Sequence, residues 1–148
     1  MRSIRVERML DAPVEGVFDV LADHANYDRF GGIRRSELIR PGEAERNGVG
    51  AMRRVVIGPF TFDEEITAFE RPMRLDYVIR KINAPYRHEG GSIRLDPTAD
   101  GGTKATWTST YEIPVPVAGW ALERLFSLTF GRGFASTLEE AGRVAVQV

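Results

Sequence analysis

Strand-like runs followed by a single long helical pattern occupy residues 33 to about 145, and that order limits the fold more than any other feature of the chain. The runs at 33–39, 49–57, 60–69, 73–82, 88–95 and 103–113 are separated by the turn-forming stretches "RPGEAERNG", "GP", "ERP", "NAPY" and "PTADGG". From Val117 to about Ala145, apolar residues Leu122, Leu125, Phe126, Phe130, Phe134 and Leu138 recur at helical spacing. Ahead of these runs, residues 3–9 alternate like a strand, with Ile4 and Val6 on one face. Asp11 reads as an N-cap and Pro13 as a first-turn residue of a helix that buries Val14, Val17, Phe18 and Leu21. A second short helix follows Asp23 and is closed by Gly31 and Gly32.

Seven antiparallel strands and one long helix cannot form a sandwich of two sheets. The helix has an apolar stripe, and a curved sheet that wraps around it is the way to cover that stripe. The expected class is therefore α+β, one domain over residues 1–148, with two short helices between the first and second strands. A sheet bent this far from a single helix leaves space between them, where small molecules bind.

The hairpin turns set which side chains face that space. If Gly58 and Pro59 form a hairpin tip, Ile57 faces Phe60, Val55 faces Phe62, Arg53 faces Glu64 and Ala51 faces Ile66. The opposite face pairs Val56 with Thr61 and Arg54 with Asp63 and is more polar. The turn "ERPM" then sets Ala68 opposite Leu75, Ile66 opposite Tyr77 and Glu64 opposite Ile79. Both hairpins select the same inward set. Alternation adds Glu89, Gly91, Ile93 and Leu95, and Ala105, Trp107, Ser109 and Tyr111. An inward Arg53–Glu64 pair has two interpretations, a cross-strand salt bridge or a polar anchor for a ligand's carboxylate, carbonyl or phenol. In the second, Arg53 donates, Tyr77 or Tyr111 assists, and Glu64 serves as general acid or base.

Other chemistry finds little support. The chain has no cysteine, which excludes disulfides, thiolate catalysis and cysteine-bound metals. His24 and His88 are its only histidines and match no metal-binding spacing, so no metal and no cofactor is expected. His88 has outward parity, and His24 sits where a cationic ring would complement the end of the first helix. No serine lies in a G-x-S-x-G elbow, and the glycine pairs match no phosphate loop. With 20 basic against 21 acidic side chains, nothing favours nucleic acid or an anionic membrane surface. The longest apolar stretch, "IPVPVAGWAL", is too short to span a membrane. A cytoplasmic monomer or homodimer without integral membrane association is the expectation.

Gly131 and Gly133 interrupt the long helix, each at a cost of up to about 1 kcal/mol relative to alanine. A kink, a close approach of the sheet, or room kept for a ligand would each account for them.

Four stretches carry a family resemblance: "VERMLDAPVEGVFDVLADHANYDRF" at 6–30, "EEITAFERPMRLDYVI" at 64–79, "GGTKATWTSTYEIP" at 101–114 and "FGRGFASTLEEAGRVA" at 130–145. With the element order, the chain resembles the START-like helix-grip superfamily (SRPBCC), in its polyketide cyclase/dehydrase and lipid-transport branch. It departs from many relatives at Phe30, where their short helix carries tryptophan. The resemblance implies an internal cavity for a hydrophobic lipid, polyketide or isoprenoid-like molecule. Combined with the registers, it nominates Tyr27, Phe30, Arg53, Phe62, Glu64, Tyr77, Trp107, Ser109, Tyr111, Phe126, Phe130 and Gly133 as ligand-binding residues. Tyr27 and Phe30 are assigned to its entrance or close to it. Members of the superfamily range from carriers to cyclases and dehydratases, and some act through protein partners. Carrier, cyclase or dehydratase using Glu64, Arg53 and Tyr77, and protein-interaction module are ranked in that order.

Overall fold

The computed structural model describes residues 1–146. β1 (Arg2–Leu10) leads into α1 (Val14–Leu21) and a 3₁₀ helix (His24–Arg29). The strands β2 (Ile33–Arg40), β3 (Met52–Ile57), β4 (Phe60–Glu70), β5 (Arg74–Ile82), β6 (Arg87–Pro97) and β7 (Thr103–Glu112) follow, and α2 (Gly119–Val146) comes last. The strands form a seven-stranded antiparallel sheet in the order β1-β7-β6-β5-β4-β3-β2, so β2 to β7 run as a meander and β1 adds beside β7. This is the expected α+β architecture of a sheet curved around a long helix.

Some boundaries move for local reasons. α1 takes Pro13, in extended backbone, as its N-cap with no side-chain hydrogen bond, so Asp11 does not have the capping role expected of it. β3 begins at Met52 rather than at 49 because Gly50, at φ +89°, turns the chain just before it.

The β3–β4 register matches the expected one, with Arg53 opposite Glu64, Val55 opposite Phe62 and Ile57 opposite Phe60. In the next hairpin Ile66 faces Tyr77 and Glu64 faces Ile79, but Ala68 faces Asp76 and Leu75 faces Phe69. An irregularity between Ile66 and Ala68 absorbs the extra residue Thr67, and a bulge of this kind increases local twist and curvature. A second irregularity, between His88 and Gly90, leaves Glu89 unpaired and reverses the parity of the residues before it. His88 therefore turns inward and Glu89 outward, the opposite of what strict alternation predicts.

The packed core lies under the second half of α2. There Leu138 and Ala141 are buried against Leu10, Ala12, Val17 and Leu21. Each leucine or valine there contributes about 1.5–3 kcal/mol by leaving water. Gly142 allows the closest approach, since a Cβ there would lie 3.2 Å from the Leu10 side chain. The first half of α2 is different. Phe126 and Phe130 are only half-buried, while Trp120, Leu125 and Leu128 are exposed on its other side. The helix is thus seated firmly at one end and stands off the sheet at the other.

Candidate functional site

Where α2 stands away, a cavity of about 250 Å³ opens between helix and sheet. Val55, Ile57, Phe62 and Ile79 form its sheet wall, and Phe126, Phe130 and Phe134 form its helix wall. The aromatic rings brace one another: Phe126 stacks on Phe130 at 4.0 Å, and Phe62 meets Phe130 edge-on at 6.0 Å. Trp107 lies flat on Phe134 at 4.1 Å. Gly133 lines the space, and a Cβ there would meet nothing within 4 Å, whereas one at Gly131 would touch Ile4 at 3.7 Å. Of the two helix glycines, Gly133 is therefore the one that keeps the cavity open.

One part of the wall is polar and is built around Arg53, which is 1% exposed. Its Nε donates to Glu64 Oε1 at 2.7 Å, and its Nη1 donates to His24 Nδ1 at 3.1 Å. The guanidinium lies 4.6 Å from the Tyr27 ring centroid and 5.2 Å from that of Tyr77. Because a guanidinium can only donate, His24 Nδ1 must accept, so the ring proton sits on Nε2 and is given to the Asn47 carbonyl at 2.8 Å. Burial, with the Arg53 charge beside it, lowers the His24 pKa to about 3. His24 is a neutral, fully buried partner of Arg53 rather than a cation at a helix end. Tyr27 is buried too: its hydroxyl donates to the Leu21 carbonyl at 2.5 Å, so it lies under Arg53 and not at an entrance.

A second polar group adjoins the first. Trp107 Nε1 donates to the Tyr77 hydroxyl at 2.9 Å. His88 stacks on Tyr77 at 5.5 Å, accepts from the Ile79 amide through Nδ1 at 3.0 Å, and bonds to Ser109 Oγ through Nε2 at 2.9 Å. Burial lowers the His88 pKa to about 4 and raises that of Tyr77, with the Glu64 charge pushing Tyr77 the same way. Gly91 makes this arrangement possible, because a Cβ on it would fall 2.2 Å from Tyr77 Cζ.

Arg53, Glu64 and Tyr77 thus line one cavity, together with Tyr27, Phe62, Trp107, Ser109, Phe126, Phe130 and Gly133. Phe30 and Tyr111 lie outside it. Phe30 is 1% exposed and packs edge-on against Tyr27 at 5.0 Å. Tyr111 is spent on structure, with its hydroxyl bonded to the Glu123 carbonyl and to Ser127 Oγ. Sequence reasoning missed Tyr86, a cavity-lining residue stacked on Tyr111 at 5.3 Å, because "NAPY" reads as a turn. It also missed the inward turn of His88, for which the adjacent glycines of "HEGG" were the available signal of a bulge. Among the described residues no cluster of three or more His, Cys, Asp or Glu is placed to hold a metal, and no helix is long and apolar enough to cross a membrane.

The family model described as polyketide cyclase / dehydrase and lipid transport matches residues 1–145. The chain belongs to that family. Solved structures share this fold at low identity. A Thermus thermophilus protein superposes with a TM-score of 0.79 at 19% identity, covering 99% of this chain and 98% of that one. A START superfamily protein from Mycobacterium smegmatis gives 0.78 at 14% identity, covering 99% of each chain. The Zhui aromatase/cyclase from Streptomyces gives 0.76 at 18% identity, covering 96% of this chain and 94% of that one. These likenesses establish the helix-grip fold. No curated protein sequence matches.

Proposed function

We propose that the protein binds a hydrophobic small molecule of lipid, polyketide or isoprenoid type in the cavity between the sheet and α2. The supporting observation is the cavity of about 250 Å³, apolar over most of its wall, with Arg53, Glu64, Tyr77 and Ser109 on its sheet side. That distribution suits a ligand with an apolar body and one polar group. Gentle-ionisation mass spectrometry of the purified protein tests it. A persistent hydrophobic adduct, absent from Gly133→Leu, supports binding. No adduct, together with no saturable uptake of a fluorescent naphthalene dye, overturns it.

A second reading, cyclase or dehydratase chemistry, is favoured by one specific feature. Glu64 lines the cavity beside Tyr77, a carboxylate and a phenol on the same wall, with Arg53 fixing the carboxylate. A flexible poly-β-keto substrate would be oriented by Arg53 and Tyr77 while Glu64 moved a proton. The similarity in fold to the Zhui aromatase/cyclase agrees with this alternative. Turnover that Glu64→Gln abolishes while substrate affinity survives would establish it. A cavity of this size weighs against the protein-interaction module.

A further inference from the structure

Among the hydroxyl groups that line the cavity, those of Tyr77 and Ser109 each already accept a hydrogen bond from a group that can only donate. For Tyr77 the donor is the Trp107 indole N–H at 2.9 Å, a group with no acceptor capacity. For Ser109 it is His88, and the direction follows from the other side of that ring. His88 Nδ1 faces the Ile79 amide N–H at 3.0 Å and must accept from it. The proton of a neutral imidazole is then on Nε2, which lies 2.9 Å from Ser109 Oγ. Burial keeps the ring neutral, as a doubly protonated ring would set N–H against N–H at Ile79.

The consequence concerns the hydroxyl protons. Among the described residues the Tyr77 hydroxyl has no hydrogen-bond acceptor for its own proton, and the Ser109 hydroxyl has only Tyr77 Oη to turn to. The strand register sets Tyr77, Gly91 and Ser109 in one row across β5, β6 and β7, and the Tyr77 hydroxyl lies over Gly91. The two hydroxyls are therefore neighbours. Should the Ser109 proton turn onto Tyr77 Oη, that oxygen would hold two incoming donors, and its own proton would still be left for the cavity.

Resting on the ligand-binding reading above, we infer that this row is a site for a neutral carbonyl oxygen, a ketone, ester or quinone, to which Tyr77 and Ser109 donate. Trp107 and His88 are positioning residues that fix the direction of donation. A carboxylate is disfavoured because Glu64 already neutralises Arg53, so an incoming anion would be buried without a counter-charge.

Two measurements test this. Imidazole nitrogen NMR reads the His88 tautomer without any ligand. A protonated Nε2 with a pyridine-like Nδ1 is expected, and a protonated Nδ1 overturns the inference. Acetylnaphthalene and ethylnaphthalene then serve as a matched probe pair of nearly equal apolar bulk. The ketone is expected to bind about tenfold more tightly, the size of one or two neutral hydrogen bonds. Tyr77→Phe and Ser109→Ala, separately, are each expected to cut that ratio several-fold. Equal affinity of the two probes, or a ratio indifferent to both variants, overturns the carbonyl site and leaves ligand binding intact. Binding of neither probe overturns both.

Discussion

Arg53 Nη1 donates to His24 Nδ1 across 3.1 Å, and this contact ties the 3₁₀ segment to the inner face of β3. The same guanidinium holds Glu64, so one buried cation organises three elements of the chain. Removing it strands a neutral acceptor and a carboxylate together. Arg53→Met is expected to lower stability by about 3–5 kcal/mol, the cost of breaking a buried pair from one side. Adding Glu64→Met should recover part of that loss by removing the stranded charge. Arg53→Lys should stay well below the parent, since one ammonium cannot span both partners. Urea unfolding measures all three, and a loss below about 1 kcal/mol for Arg53→Met would show that the pair contributes little.

The two histidines make stability depend on pH with a fixed sign. Both rings are buried and neutral, with pKa values lowered from 6.5 to about 3 for His24 and about 4 for His88. Between those values and 6.5 the unfolded chain binds more protons than the folded one. Their contribution is therefore complete above pH 6.5 and is lost as pH falls below it, down to about 4 and then about 3. The slope is about 1.4 kcal/mol per pH unit for each histidine once its unfolded form is fully protonated. Unfolding midpoints at pH 7 and pH 5 check this. His24→Gln should flatten the difference by roughly half, and an unchanged pH dependence would contradict neutral burial of His24.

The fold was legible because its signals are local and periodic. Gly58–Pro59 sets the β3–β4 register, and with it the inward facing of Arg53 and Glu64. What escaped depends on features that shift parity or couple distant segments. The irregularity at Glu89 reverses His88, and a period-two pattern cannot register one extra residue. His24 looked like a helix-end cation because its partners, Asn47 and Arg53, are more than twenty positions away in sequence. Tyr111 shared the inward parity of Ser109, yet its longer side chain reaches Glu123 and Ser127 on α2, which parity alone does not reveal.

Gly133 offers a way to close the cavity without disturbing the core. Nothing lies within 4 Å of a Cβ built there, so a leucine side chain would enter the space bounded by Phe126 and Phe130. Gly133→Ala should be neutral or stabilising, by up to about 1 kcal/mol from helix propensity. Gly133→Leu should keep the circular-dichroism spectrum of the parent while losing hydrophobic probe binding. Unfolding of Gly133→Leu would mean that the glycine serves packing instead.

Gly91 is the opposite case, a glycine required by its neighbour. A Cβ there would lie 2.2 Å from Tyr77 Cζ and 2.6 Å from the Tyr77 hydroxyl oxygen, well inside contact distance. In Gly91→Ala the Tyr77 ring must leave its place on β6, which breaks the bond from Trp107 and the stack on His88. The expected loss is about 1–3 kcal/mol, as for other overpacked core sites, with a shift in tryptophan fluorescence. The clash needs the tyrosine ring, so the two sites should be coupled. In a Tyr77→Ala background the same Gly91→Ala change should cost less by at least about 1 kcal/mol in a double-mutant cycle. Additive losses would mean that Gly91 is needed for its backbone alone and that the placement of Tyr77 over it is wrong.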